Sequence, residues 1–207
     1  MRFATLIVSS LLTIASAIAL ATVEKRDAAS IISAVKNIQS KITTLNSTVT
    51  SFNKGDLDGL VKVLKIQQQS TDVGNAVKSA TSTAQASQPI PADTATSTPN
   101  NQVAAAVLSL KDSLQSFLTN LQSKKPAFDS VVAVVSVSQQ IKQTLTQQKG
   151  SSDALGTAIT IKLASPYKDF APLITGQIDG YFNQAIQTFS QPGGVISLPP
   201  LPIKEKL

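Results

Sequence analysis

Serine and lysine residues three positions apart are the first feature of this sequence that could support catalysis. Such Ser-x-x-Lys pairs occur at Ser33/Lys36, Ser51/Lys54 and Ser165/Lys168, and in some enzymes the pair supplies a serine nucleophile with a lysine base. Because the chain is rich in both residue types, its composition alone produces pairs at this spacing. They therefore give little support to a small hydrolase, and we expect no enzyme activity.

Most other catalytic chemistry is excluded by composition. The 207 residues include no cysteine, histidine or tryptophan. Without cysteine and histidine, the chain has no disulfide framework, no thiolate nucleophile, no imidazole base and none of the commonest transition-metal ligands. We expect no metal and no cofactor.

The acidic residues are best explained as helix caps. Asp56-Leu57-Asp58-Gly59 resembles the start of a calcium loop but lacks the further ligands and the closing glutamate. Aspartates favour the first residues of helices, where they interact with the helix dipole. We assign this role to Asp27, Asp56, Asp153 and Asp169.

The N-terminus has the pattern of a secretory signal peptide. Met1-Arg2 precedes an apolar stretch that ends in small residues, which predicts a signal peptide over residues 1–21, with an uncleaved signal anchor as the alternative. Lys25-Arg26 resembles a dibasic processing site, which makes residues 22–26 a propeptide. We expect the mature chain to begin at Asp27 and to be secreted, either extracellular or in the cell wall.

The charge of that mature chain argues against nucleic-acid binding. It carries 15 lysines against ten aspartates and Glu205, a net charge of +4, and it has no arginine. Nucleic-acid binders concentrate basic residues and use arginine forks, whereas these lysines are dispersed. One glycosylation sequon is present at Asn46-Ser47-Thr48.

Apolar residues at helical spacing dominate the mature chain and predict an all-α bundle of five to six antiparallel helices. The first stripe predicts a helix over about Ala28–Phe52, and a second predicts a helix beginning at a cap on Asp56, with a bend or loose packing near 67–70. Residues 79–100 are rich in Ser, Thr and Pro and predict a linker, O-glycosylated or bare. The stripe positions are Ile31, Val35, Ile38, Ile42, Leu45, Val49 and Phe52, then Leu57, Leu60, Val61, Leu64, Val73, Val77, Ala80 and Ala84.

The second half of the domain has the same pattern. A third helix is predicted over 103–121. A fourth is predicted to begin at Pro126 and to extend to Leu145, and it includes Val132, Val134 and Val135. Gly150-Ser151-Ser152-Asp153 predicts a break before a short helix, and the last helix should begin near Asp169. The bundle domain then covers 27–190, and residues 191–207 form a flexible Pro-rich tail.

This arrangement resembles the fungal hydrophobic surface-binding protein family, which includes the antigenic cell-wall galactomannoproteins. The resemblance covers about Asp27–Ser190, and its best matches are Phe52-Asn53-Lys54-Gly55-Asp56, the Ser/Thr-rich stretch, and Ile161-Lys162-Leu163-Ala164-Ser165-Pro166 before an aromatic helix. It implies a secreted or wall-associated protein that adsorbs to hydrophobic surfaces or holds fatty acids or other lipids inside its bundle. Cell-wall polysaccharides are a further candidate partner.

We therefore expect a non-enzymatic lipid-binding bundle, the alternative being a structural, glycosylated wall mannoprotein with a solid core and no ligand. An interior of Val, Leu, Ile and Ala gives a dry cavity, and a carboxylate head group at its mouth would need Lys, Ser, Thr or Tyr. The aromatic residues expected to wall the cavity are Phe117, Phe128, Phe170, Tyr181 and Phe182.

Overall fold

The computed structural model describes the backbone of residues 3–95, 97–131 and 137–191, and within these ranges the side chains from Asp27 onward except that of Val131. The described chain is all-α, as predicted, and contains no β-strand. Its helices are α1 (Phe3–Thr50), α2 (Gly59–Ala86), α3 (Pro99–Ser123), α4 (Lys125–Val131), α5 (Val137–Thr160) and α6 (Tyr167–Ser190).

Five long helices form a closed ring. α1 packs against both α2 and α3, α2 packs against α5, α5 against α6, and α6 returns to α3. The short α4 contacts α2, α3 and α5 and covers part of one end. Each long helix therefore has two neighbours and turns its apolar stripe toward a shared interior.

The stripe of α1 confirms the sequence prediction most fully. Its seven positions from Ile31 to Phe52 are all at most 3% exposed. Phe52 lies just beyond the helix, where its ring is 4.6 Å from that of Phe128, and Phe128 is 6.1 Å from Phe189. This aromatic cluster joins the end of α1 to α4 and α6.

The turn between α1 and α2 corrects the predicted cap. Gly55 adopts a φ of +87°, a conformation that favours glycine, so the predicted stop is confirmed. Asp56 does not cap α2, which begins three residues later. Its carboxylate instead accepts the backbone N–H of Asn53 at 2.8 Å and pairs with Lys62 at 2.8 Å. The Asp56 side chain thus stabilises the turn between α1 and α2 and does not cap α2.

The first stripe of α2 was predicted to be core, and this is wrong. Leu57, Leu60, Val61 and Leu64 are 107%, 58%, 66% and 57% exposed. The opposite face of the same turns faces the interior through Val63 and Ile66. The four side chains are spaced as on one face of a helix. They remain in solvent because no other described element covers that face. α2 is continuous through 67–70, and the bend or loose packing expected there stays a prediction.

The predicted linker is shorter and more ordered than expected. Residues 79–86 are the last turns of α2, where Ala80 and Ala84 are buried, so the connection begins only at Ser87. Ile90 is 3% exposed and its N–H donates to the Lys162 carbonyl at 2.7 Å. Small Ala, Ser and Thr side chains are compatible with a closely packed helix. The composition of residues 79–86 therefore did not distinguish a helix from a linker.

A buried asparagine fixes the far end of that connection. Asn100 is fully buried, and its amide donates to the Pro91 carbonyl at 2.6 Å and to Asp93 Oδ1 at 2.9 Å. Its Oδ1 accepts the N–H of Ala164 at 2.9 Å. Asp93 also accepts the backbone N–H groups of Asn100 and Asn101. Asp93 therefore satisfies the first turn of α3, and Asn100 ties it to the α5–α6 connection.

The second half of the chain requires three corrections. The break predicted at 150–153 is absent, because α5 continues through it to Thr160, so Asp153 is not a cap and no separate short helix exists. The last helix begins at Tyr167 rather than near Asp169, although the break before it is confirmed. Residues 132–136, which hold the three valines of the predicted fourth helix, lie outside the described residues, and α4 and α5 flank them.

The predicted terminal segments are not tested. The signal peptide and propeptide fall on Met1-Arg2 and on the first turns of α1, whose side chains, including Lys25 and Arg26, lie outside the described residues. The tail from residue 192 onward does so too. Over the side chains that are described, no helix is both long enough and apolar enough to cross a membrane.

Candidate binding cavity

The ring of helices encloses a cavity of about 110 Å³. Its apolar walls come from all six helices, and the middle of the α1 stripe forms one side. These apolar lining residues are Ile38, Ile42, Leu45, Val63, Ile66, Val73, Val77, Leu110, Leu114, Phe117, Leu121, Phe128, Val137, Ile141, Leu145, Leu155, Ile178 and Phe182. The stripes predicted from the sequence thus converge without filling the centre.

Polar groups line only one wall, where α2 meets α5. We call this the polar wall and define it as Gln67 and Ser70 of α2 with Gln140, Thr144, Gln148 and Ser152 of α5. Gln67 and Gln140 are exposed, whereas the other four are half-buried. The cavity therefore opens between α2 and α5, and its polar groups continue from the opening into the interior.

A glycine of α2 faces the Gln148 amide of α5. The Gln148 Nε2 donates to the Ser70 carbonyl at 3.1 Å. A Cβ added to Gly74 would lie 2.8 Å from that same nitrogen, which is closer than side chains tolerate. Gly74 thus makes room for the Gln148 amide against the backbone of α2.

No charged side chain lines the cavity among the residues that the structure describes. The nearby cation Lys149 is held by two carboxylates, Asp179 at 2.9 Å and Asp153 at 3.4 Å. The hydrogen bond from Lys149 holds the pKa of Asp179 below its ordinary value, while burial and the neighbouring Asp179 raise the pKa of Asp153. These three residues join α5 to α6.

The paired carboxylates lie outside the cavity. Asp153 and Asp179 line neither the cavity nor a second apolar space between α3, α5 and α6. The three Ser-x-x-Lys pairs have all six side chains exposed on the surface. Within the described residues, no cluster of carboxylates suits a metal ion.

A second apolar space lies on the side of the bundle, between α3, α5 and α6. This side groove measures about 340 Å³ and shares Ser152 and Ile178 with the cavity. Its lining includes four small residues and the exposed side chains of Leu108 and Phe170. The small residues are Ala104, Ala105, Gly156 and Ala171. The groove has a larger volume than the cavity and is bounded by fewer helices.

Three of the five aromatic residues that were predicted to wall the cavity line it, and two do not. Phe117, Phe128 and Phe182 lie in the cavity lining. Phe170 lies instead in the side groove and is 63% exposed, and Tyr181 packs against the core without lining either space. Whether these residues contact a lipid remains a prediction.

The polar wall was not predicted from the sequence, although a signal exists. Gln140, Thr144, Gln148 and Ser152 recur every four residues beside the apolar stripe of α5. Such a stripe is common on a solvent-exposed helix face, so the spacing alone does not identify a cavity. The serines and threonine satisfy part of the predicted head-group chemistry, but lysine and tyrosine are absent from the described lining.

The sequon residue Asn46 lies within α1 and takes part in a helix contact. Its Oδ1 accepts the Asn120 amide of α3 at 2.7 Å, and Thr50 Oγ1 accepts the same amide at 2.9 Å. The side chain is half-buried. A glycan on Asn46 would therefore have to replace or displace this contact, and glycosylation there stays a prediction.

Similarity to solved structures supports this reading of the fold. The protein Afmp4p, solved in complex with palmitic acid, is 28% identical and has a TM-score of 0.69, with 78% of this chain and 99% of that chain covered. Ligand-binding domain 1 of the Penicillium marneffei MP1 protein, solved with arachidonic acids, is 16% identical with a TM-score of 0.67, with 80% and 99% covered. Ligand-binding domain 2 of the same protein, solved with multiple arachidonic acids, is 14% identical with a TM-score of 0.66, with 78% and 95% covered.

The family model gives the assignment directly. No curated protein matches the chain, but the model for hydrophobic surface binding protein A matches residues 28–160. That range begins one residue after the predicted mature N-terminus, Asp27, and includes α2 to α5, which together contain the whole polar wall. The chain therefore belongs to the hydrophobic surface binding protein A family.

Proposed function

We propose that this protein is a secreted, non-enzymatic lipid-binding protein that holds a fatty acid or another long-chain lipid in the central cavity. The observation that carries the proposal is the cavity itself, an apolar space at the centre of a closed ring of helices. The palmitic acid of Afmp4p, the most similar of the three structures by identity, supports a fatty acid as the ligand class.

The energetics favour an acyl chain. Each buried methylene contributes about 0.8 kcal/mol, so ten methylenes supply about 8 kcal/mol, the free energy of a micromolar complex before the cost of association is subtracted. Micromolar affinity therefore calls for a longer chain. A cavity of about 150 Å³ holds a benzene-sized guest, and a long acyl chain is larger than that. Binding therefore requires the helices to move apart or the chain to protrude through the mouth between α2 and α5.

The alternative of a structural wall mannoprotein is less well supported. It requires a solid core that serves only as a stable glycan carrier, whereas the apolar stripes here surround an unfilled space. Secretion, processing after Arg26, a flexible tail from 191 and glycosylation at Asn46 form part of the proposal. N-terminal sequencing and intact-mass measurement of protein from its own host would test them, the expected first residue being Asp27.

A pair of leucines on α3 tests the cavity. Leu110 lines the cavity, and Leu108, two residues earlier, lines the side groove. Leu110→Trp should displace at least two methylenes and weaken binding of an acyl fluorophore by at least about tenfold. Leu108→Trp, the matched control, should keep affinity close to that of wild type.

Three outcomes of the acyl-fluorophore titration would contradict different parts of the proposal. Equal loss in the two tryptophan variants would contradict the cavity as the site. Loss with Leu108→Trp alone would place the ligand in the side groove instead. No saturable binding to the unaltered protein would reject the lipid-binding function altogether.

A further inference from the structure

The head-group chemistry of the cavity can be inferred from its polar wall. Six of the residues that line the cavity are polar, and all six are Ser, Thr or Gln. Such side chains both donate and accept hydrogen bonds but carry no charge. The opposite walls, from α1, α3, α4 and α6, are apolar throughout the described lining. A polar head group inside the cavity therefore meets hydrogen-bonding partners on one side only, and these partners are uncharged.

The Gln148 amide has hydrogen-bonding groups beyond those used within the protein. A glutamine amide has two N–H donors and one carbonyl acceptor. One donor is used on the Ser70 carbonyl of α2, and Gly74 lets the amide lie against that helix. Thr144 lies one turn earlier on α5 and Ser152 one turn later, and both are half-buried in the lining. Together they offer a hydroxyl or amide head group a donor and an acceptor at several depths.

An ionised head group loses more hydration free energy in the cavity than an uncharged one does. A buried carboxylate without a cation is strongly disfavoured, because hydrogen bonds to neutral groups replace only part of its hydration. Lys149, on the same helix as Gln148, lies outside the lining and is held by Asp179 and Asp153. The other lysine on this stretch of α5, Lys142, also lies outside it. An anionic head group therefore stays near the mouth, beside Gln67 and Gln140, and its acyl chain enters less deeply.

We propose that the polar wall selects lipids whose head groups are uncharged hydrogen-bonding groups, such as a fatty alcohol or a fatty amide, over fatty-acid anions of the same chain length. This inference rests on the proposed function, because it concerns the head group of a lipid held in the central cavity. Fatty acids bind as well, with the carboxylate toward solvent. The preference follows from the side chains of α2 and α5 rather than from the apolar walls.

The first test compares three ligands of one chain length. Dodecanol, dodecanamide and dodecanoate are used below their aggregation limits at pH 8 to displace an acyl fluorophore from the full mature protein. The two uncharged lipids should bind at least about tenfold more tightly than dodecanoate. Dodecanoate binding as tightly as dodecanol, or more tightly, would overturn the inference while leaving the proposed function intact. Failure of all three to bind would overturn both.

The second test adds a cation at the mouth. Gln140 is exposed and lines the cavity, so Gln140→Lys should fold and should improve dodecanoate binding about tenfold relative to dodecanol binding. Gln143→Lys is the matched control, because Gln143 is exposed on the same helix but is not part of the lining. An equal gain in the two variants would mean that net charge, not the polar wall, governs dodecanoate binding, and it would contradict the inference.

The third test removes the polar groups. Thr144→Val and Gln148→Leu preserve side-chain size, and each should weaken dodecanol binding about three- to tenfold through a lost hydrogen bond. Leu114→Ile, on the opposite wall, keeps the lining apolar and should have a smaller effect. Unchanged dodecanol affinity in both polar-wall variants, with wild-type circular dichroism, would show that the head group does not use this wall.

Discussion

The two halves of α2 carry the same sequence pattern but lie in different surroundings. In the first half, Leu60, Val61 and Leu64 follow a helical repeat and face solvent, as does Leu57 in the turn before the helix. In the second half, Val73, Val77, Ala80 and Ala84 follow the same repeat and are at most 8% exposed. The difference shows that apolar periodicity identifies the face of a helix but not whether another element packs against it.

The connections at the two ends of α2 differ in the same way. Before the helix, Asp56 pairs with Lys62 at the surface, and the hydrogen bond from Lys62 helps to hold the pKa of Asp56 below its ordinary value. After the helix, Asp93 interacts with the fully buried Asn100. One end is thus fixed by an exposed ion pair, and the other by buried hydrogen bonds.

An aspartate introduced into each half should give the largest contrast. Ala84→Asp places an unpaired charge where the side chain is fully buried and should lower the free energy of unfolding by about 3–5 kcal/mol. Leu64→Asp, at an exposed position of the same helix, should change it by less than about 0.5 kcal/mol. Urea denaturation followed by circular dichroism measures both. Equal losses would mean that the exposed stripe is covered in solution.

The buried asparagine should have the next largest effect. Asn100→Ala leaves the Pro91 carbonyl and the Ala164 N–H without their partner and should lower the free energy of unfolding by about 2–3 kcal/mol. Lys62→Ala, which removes the surface ion pair at the other end of α2, should leave stability close to wild type. If Lys62→Ala were the more damaging change, the comparison between the two ends would be wrong.

The exposed stripe of α2 should matter for adsorption rather than for folding. The double variant Leu60→Gln/Leu64→Gln should reduce retention on an alkyl-coated surface by about tenfold, because it removes two of the four exposed apolar side chains of this stripe. Leu108→Gln/Leu173→Gln removes two other exposed leucines, on α3 and α6, as the control. A greater loss in the control variant would show that adsorption does not depend mainly on the exposed stripe of α2.

Acid should weaken the Asp93 end of α2 selectively. Burial raises the pKa of Asp93, but hydrogen bonds from the Asn100 side chain, from the backbone N–H groups of Asn100 and Asn101 and from Tyr167 together lower it below the ordinary value of 3.8. Because the folded pKa is below the unfolded one, the stabilisation is complete above pH 3.8 and is lost as the pH falls through the folded pKa.

The Asp93→Asn variant provides the corresponding measurement. Its stability should be lower than wild type near neutral pH. The difference should narrow as the pH falls below about 4, because Asp93 is protonated first in the unfolded chain and, at lower pH, in the folded protein. Thermal melts at a series of pH values would follow this. A difference that stays constant down to pH 2 would show that ionisation of Asp93 does not contribute.

Much of the fold could be predicted from local sequence. The α1 stripe from Ile31 to Phe52, the stop at Gly55 and the start of α4 beside Pro126 depend on neighbouring residues alone. The errors occurred where tertiary packing outweighs local signals. Gly150–Asp153 reads as a break but continues α5, which packs against α2 and α6 along its length. The last turns of α2 read as a linker because their residues are small and polar.

The candidate site was predicted only in part for the same reason. Phe117, Phe128 and Phe182 could be selected because large aromatic residues on apolar stripes point inward, and they line the cavity. Phe170 follows the same rule and lies in the side groove. Gln148 could not be selected, because its role depends on Gly74 of another helix, 74 residues earlier in the chain.

The amino-acid sequence by itself determined the helical class, the chemistry that is absent and the apolar face of most helices, because composition and residue spacing are local properties. Only the tertiary structure decided which faces are covered, where the helices leave a central space and which polar residues border it. These features depend on which helices are neighbours in the ring, and that order is fixed by the packing of the whole bundle.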